Sequence, residues 1–65
     1  MGRRFGAGAV VKLKELRDGE CFVTIATKLE GVVIERHTDG IVVDLERGDD
    51  LVRRRVHPDV RVAVA

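Results

Sequence analysis

Valine supplies twelve of the 65 residues, in short runs interrupted by Asp-Gly and Gly-Asp pairs, and this pattern constrains the chain more than any other feature. Branched Cβ atoms stiffen χ1 and suit a pleated, half-buried surface. Glycine takes positive φ at no steric cost and aspartate bonds its own main chain, so each pair marks a turn. The chain reads as all-β.

Cys21, Val23 and Ile25 alternate with Phe22, Thr24 and Ala26, which makes Glu20 to Thr27 the first full strand. Glu30 to Arg36 is the second, and His37-Thr38-Asp39-Gly40 is a tight hairpin leading into the third. In that third strand, Ile41 to Glu46, the residues Ile41, Val43 and Leu45 point inward. Arg47-Gly48-Asp49-Asp50 turns the chain into the fourth, Leu51 to Val56. Proline has no N–H to give a ladder, so His57-Pro58-Asp59 is expected to form a single 3₁₀ turn. Val60, Val62 and Val64 then alternate along a fifth strand. Val10 to Leu16 fits a short strand or one helical turn equally well. Met1 to Ala9 holds three glycines and no acid, which predicts a flexible basic arm ahead of one domain over residues 10–65.

So short a chain buries only about 60% of its unfolded surface, which leaves few residues free to wall an active-site pocket. Five short strands joined by tight turns suit a small barrel, because closure removes exposed sheet edges. The formal charge of +1 is too small to generate the field of a dedicated polyanion binder, so any nucleic-acid role must use a local patch. One cysteine forms no internal disulfide, which points to a reducing, cytoplasmic setting. No apolar run reaches the roughly 20 residues that span a bilayer, and the first residues lack a secretory apolar core, so no membrane role is expected. Trp, Tyr, Ser, Asn and Gln are absent while charged residues reach 35%, a profile shared by thermostable proteins, high-GC genomes and simplified design alphabets.

The runs Asp18-Gly-Glu-Cys-Phe-Val-Thr-Ile25, Glu30-Gly-Val-Val-Ile-Glu35 and Asp39-Gly-Ile-Val-Val-Asp-Leu45 resemble the KOW-type SH3-like barrel of ribosomal and transcription-associated proteins. Val56-His-Pro-Asp-Val60 is similar to the proline-bearing turn before the last strand of such folds. The resemblance covers Asp18 to Val64 and implies a five-stranded SH3-like small barrel associated with RNA or DNA. The chain departs from it at Glu20, where the pattern favours aspartate, and in the loop Ala26 to Glu30, where Lys28 is the only basic residue.

Arg53-Arg54-Arg55 is the sharpest cluster, and with Arg3, Arg4, Lys12 and Lys14 it forms the candidate nucleic-acid-binding set, offering guanidinium forks and ammonium groups to phosphates. The competing reading puts Arg53 and Arg55 on a solvated strand face, paired with Asp44 or Glu46. Strict alternation with Val52 and Val56 sends Arg54 toward the core, where an unpaired charge costs several kcal/mol. A β-bulge near Arg54 is the expected relief, ahead of a buried acid or an oligomer interface.

His37 and His57 lack the spacing and number of ligands a metal needs, so no metal or other cofactor is expected. Cys21 has no local base and reads as a buried thiol. Serine is absent, no catalytic carboxylate pair is identifiable, and Gly6-Ala-Gly8 lacks the lysine of a phosphate loop, so the chain is expected not to be an enzyme. Two phenylalanines cannot build a stacking platform or a proline-binding groove. Two functions follow: a module on an RNA or DNA backbone, or a protein-interaction or homo-oligomeric assembly module that buries an apolar face such as Val33 and Val42.

Overall fold

A computed structural model describes residues 5–65. The fold is all-β: Val10–Lys12 (β1), Cys21–Thr24 (β2), Glu30–His37 (β3), Gly40–Arg47 (β4), Asp50–Val56 (β5) and Arg61–Val64 (β6). These six strands, one more than the sequence predicts, form one antiparallel sheet in the order β1-β6-β2-β3-β4-β5. Among the described residues no pairing joins β1 to β5, so the sheet is not closed and has two edges.

The extra strand comes from Val10 to Leu16, which is both things its sequence allows. Val10–Lys12 pairs with β6, and Leu13–Glu15 then winds into a 3₁₀ turn. The Glu15 carboxylate accepts the Lys12 N–H at 2.8 Å and closes the start of that turn. Residues three apart eclipse in a 3₁₀ turn, which brings both Leu13 and Leu16 into the core. Ahead of β1, Phe5 packs against the core and Gly8 donates its N–H to the Val64 carbonyl at 2.7 Å.

Turn chemistry fixes the rest of the order. The Arg17 carbonyl accepts the Glu20 N–H, with Gly19 at φ +86° between them, the pattern of a type II turn. Gly48 at φ +62° opens the two-residue turn between β4 and β5, as in type II′. His57 to Val60 closes as the single turn expected there, the Val60 N–H donating to the His57 carbonyl at 3.1 Å and Nδ1 of His57 accepting the Asp59 N–H at 3.0 Å. Gly40 is different: its φ is not positive, but a Cβ there would lie 2.6 Å from Cγ of Arg55, whose stem crosses it.

One face of the sheet carries the core. Val64, Phe22, Gly31, Leu45 and Val52 form a continuous cross-strand row from β6 to β5. The Phe22 ring lies on Gly31, where a Cβ would come within 2.6 Å of Cζ of Phe22 and 2.7 Å of Cδ2 of Leu45. Val33 and Val43 make the next row and are almost wholly buried, with Ile41, Val62, Val11 and the two leucines completing the cluster.

The bulge predicted near Arg54 lies elsewhere. β5 pairs with β4 without interruption from Asp50 to Val56, whereas in β3 the register slips between Val33 and Glu35 and leaves Ile34 without a partner. The reason is the acid at position 35. With Val33 inward, strict alternation would put Glu35 inward too. The extra residue turns it outward opposite Val42, where its carboxylate lies 3.7 Å from Nε2 of His37.

Gly31→Ala should therefore destabilise the fold by about 1–3 kcal/mol through overpacking against Phe22. Gly6→Ala, which meets nothing within 4 Å and has no positive φ, should change stability little. Urea unfolding of the two variants checks this, and equal midpoints would contradict it.

Candidate functional site

Alternation along β5 divides the arginine triplet between the two faces of the sheet. Arg53 stands opposite Asp44 and Arg55 opposite Val42 on the outer face, while Arg54 stands opposite Val43 on the core face. Nε and Nη2 of Arg53 donate to the two Asp44 carboxylate oxygens at 2.8 and 3.1 Å, a bidentate pair. That bond and the attached positive charge hold the Asp44 carboxyl below the ordinary carboxylate range, and the same bond raises Arg53. Nη1 of Arg55 donates to Asp39 at 3.0 Å. Two of the three guanidinium groups are thus neutralised from the outer face.

Arg54 follows its strand's phase with no bulge to deflect it. Its row runs from Val33 through Val43, yet Arg54 itself is exposed, because the sheet ends at β5 and none of the described residues covers that end of the core face. Together with Thr27, Leu29, Leu45, Arg47 and Val52 it lines a concavity of about 380 Å³ between β5 and the β2–β3 loop. Among the described residues, neither Arg47 nor Arg54 has an ion-pair or hydrogen-bond partner for its side chain, although Asp50 is the cross-strand neighbour of Arg47. The loop wall is fixed by Thr24, whose Oγ1 accepts the Leu29 N–H at 2.8 Å and lies 2.6 Å from Oγ1 of Thr27. Lys28 takes φ +59° to make this tight reversal, its N–H bonded to the Thr24 carbonyl.

The backbone of β5 is the second element of the site. Its two-residue turn makes Arg47 and Asp50 a hydrogen-bonded pair, and antiparallel pairs alternate between bonded and non-bonded. Val52, Arg54 and Val56 therefore bond to β4, while the N–H and C=O groups of Leu51, Arg53 and Arg55 face away from the sheet.

The other predicted cations do not join this surface into one patch. Lys14 lies in the 3₁₀ turn and pairs with Asp59 at 3.1 Å, and this contact lowers the Asp59 carboxyl. Lys12 is on β1, the opposite end of the strand order from β5, and faces Arg61 across the ladder. Arg3 and Arg4 lie outside the described residues. Arg47, Thr27 and Leu29 were not singled out by sequence: they reach Arg54 only through the fold, and no motif marks them.

Two further expectations are corrected. Cys21 is exposed, not buried, because Phe22 takes the core phase of β2, and its thiol opens onto an outer-face depression with Val32, Asp44 and Leu51. Val33 and Val42 cannot form one apolar docking face, since Val33 belongs to the core row and Val42 to the opposite face, and both are buried.

Among the described residues, no group of three or more His, Cys, Asp or Glu side chains could hold a metal ion, and no helix is long and apolar enough to cross a membrane. In comparisons with known proteins, no family model, curated protein or solved structure matches the chain.

Folding lowers the Asp44 and Asp59 carboxyls, so the stability they contribute is complete above the ordinary carboxylate range and is lost as pH falls through their lowered values. The urea midpoint should fall between about pH 5 and pH 2. Replacing both aspartates with asparagine should shrink that fall, and an undiminished fall in the double variant would contradict the assignment.

Proposed function

We propose that this chain is a non-enzymatic binding module of the small SH3-like barrel kind, partly open, which acts on another protein through the edge strand β5. The observation that carries this reading is a seven-residue edge, uncovered among the described residues, whose outward backbone groups border a concavity with partly apolar walls. An exposed sheet edge is a template for a further strand, and natural sheets leave one open where it is used or else blunt it. The meander from β2 to β5 and the return of β6 beside β2 through the Pro58 turn support the barrel-like description. A cytoplasmic setting accords with the lone exposed thiol of Cys21.

The nucleic-acid reading is weaker on this geometry. Phosphate binding draws its affinity from several unneutralised cations along one track. Here Arg53, Arg55 and Lys14 each hold an aspartate, and Lys12 stands at the other end of the strand order.

Peptides selected from a random display library on this protein should bind in extended form. Leu51→Pro, which removes one outward N–H without altering charge, should weaken them about tenfold, while Leu51→Thr should not. Steeply salt-dependent binding to mixed RNA or duplex DNA at about 50 mM salt, with no peptide enriched, would overturn this reading in favour of the nucleic-acid one.

A further inference from the structure

Strands added at an edge continue the alternation of the sheet, so the partner's side chains opposite Val52, Arg54 and Val56 must enter the core-face side of β5. That side is the concavity already described, and its chemistry is uneven. Leu29, Leu45 and Val52 supply apolar wall, while Arg47 and Arg54 supply two guanidinium groups without an acidic partner among the described residues. Among the described residues, no acidic side chain lines it. A carboxylate arriving there meets these two guanidinium forks beside apolar wall, and charge-assisted hydrogen bonds are about twice as strong as neutral ones.

We infer that the partner of β5 is an extended acidic segment of another protein, in which a glutamate or aspartate opposite Arg54 is flanked, two residues away on the same face, by aliphatic residues that pack on Leu29 and Val52. This rests on the reading of β5 as the binding edge and adds to it the chemistry of what binds.

A second copy of the chain is disfavoured in the register that pairs the most of β5. Antiparallel pairing of β5 with itself about Arg54 would set Arg53-Arg54-Arg55 against the same triplet, and like charges directly opposed in a ladder are destabilising. Inward-pointing charge is a known guard against edge-to-edge self-association. Arg54 thus opposes that self-pairing and admits an edge of opposite charge. A nucleic-acid strand would satisfy the guanidinium groups, but it offers no ladder of amides to the free groups of Leu51, Arg53 and Arg55.

The test uses a ten-residue peptide in which valine and glutamate take turns at every second position with threonine between them, so that both face the concavity, the same peptide with glutamine for glutamate, and a third with lysine. Each is titrated into the full chain and followed by amide chemical shifts and hydrogen exchange. The valine-glutamate peptide should bind, protect the amides of Leu51, Arg53 and Arg55, and exceed the glutamine peptide about tenfold in affinity. Arg54→Gln should erase that preference, and Arg54→Glu should transfer it to the lysine peptide. Circular dichroism of both variants should match the wild type, since Arg54 is exposed.

If the glutamate and glutamine peptides bind β5 equally, the edge reading stands and the acidic partner is wrong. If Arg54→Glu leaves the order of preference unchanged, Arg54 is not the selector and the inference fails. If no peptide protects β5 while a ten-nucleotide RNA shifts the Arg47 and Arg54 amides, both the inference and the edge reading fall.

Discussion

An arginine at a core-phase position of the last strand governs the form of this sheet. Val33 and Val43 are almost wholly buried, and the next residue in their row is Arg54. An unpaired guanidinium cannot be taken into an apolar interior without a cost of several kcal/mol, so the row cannot be roofed over at β5. The sheet stays open there. It is covered instead at its other end, where β1, the 3₁₀ turn and β6 bring Leu13, Leu16, Val11 and Val62 over the same core.

What holds the covered part is the contact of Phe22 with Gly31. A single aromatic ring spans the middle of the sheet because the residue beside it has no Cβ, and Leu45 closes on the same gap. Core and edge are thereby linked. The row that contains Phe22, Gly31 and Leu45 ends in Val52, the apolar wall of the concavity, so packing at the centre sets the position of the surface at the rim.

Much of this was legible in the residues. The inward set Ile41, Val43 and Leu45 follows from alternation, and the turns at Gly19 and Gly48 follow from aspartate-glycine chemistry. The inward phase of Arg54 was legible too, but its resolution was not. A bulge near Arg54 and an open sheet edge are equally good local answers, and only the strand order decides between them. The bulge formed at Ile34 because Val32, Val33 and Ile34 present apolar side chains to either face and leave the phase to be set by Glu35. Cys21 failed for a related reason, since a strand that alternates Cys21 and Val23 with Phe22 has two acceptable phases and the larger side chain won. The partners of the arginines were half legible: Asp44 was a predicted cross-strand neighbour of Arg53, whereas Asp39 reaches Arg55 from the hairpin across sixteen residues of sequence.

Amide hydrogen exchange along β5, resolved by residue, examines the open edge most directly. An open edge predicts rapid exchange at Leu51, Arg53 and Arg55 and strong protection at Val52, Arg54 and Val56, in step with their bonding to β4. Uniform protection from Leu51 to Val56 in the isolated chain would mean that β5 is already covered, and would contradict both the open sheet and the function built on it.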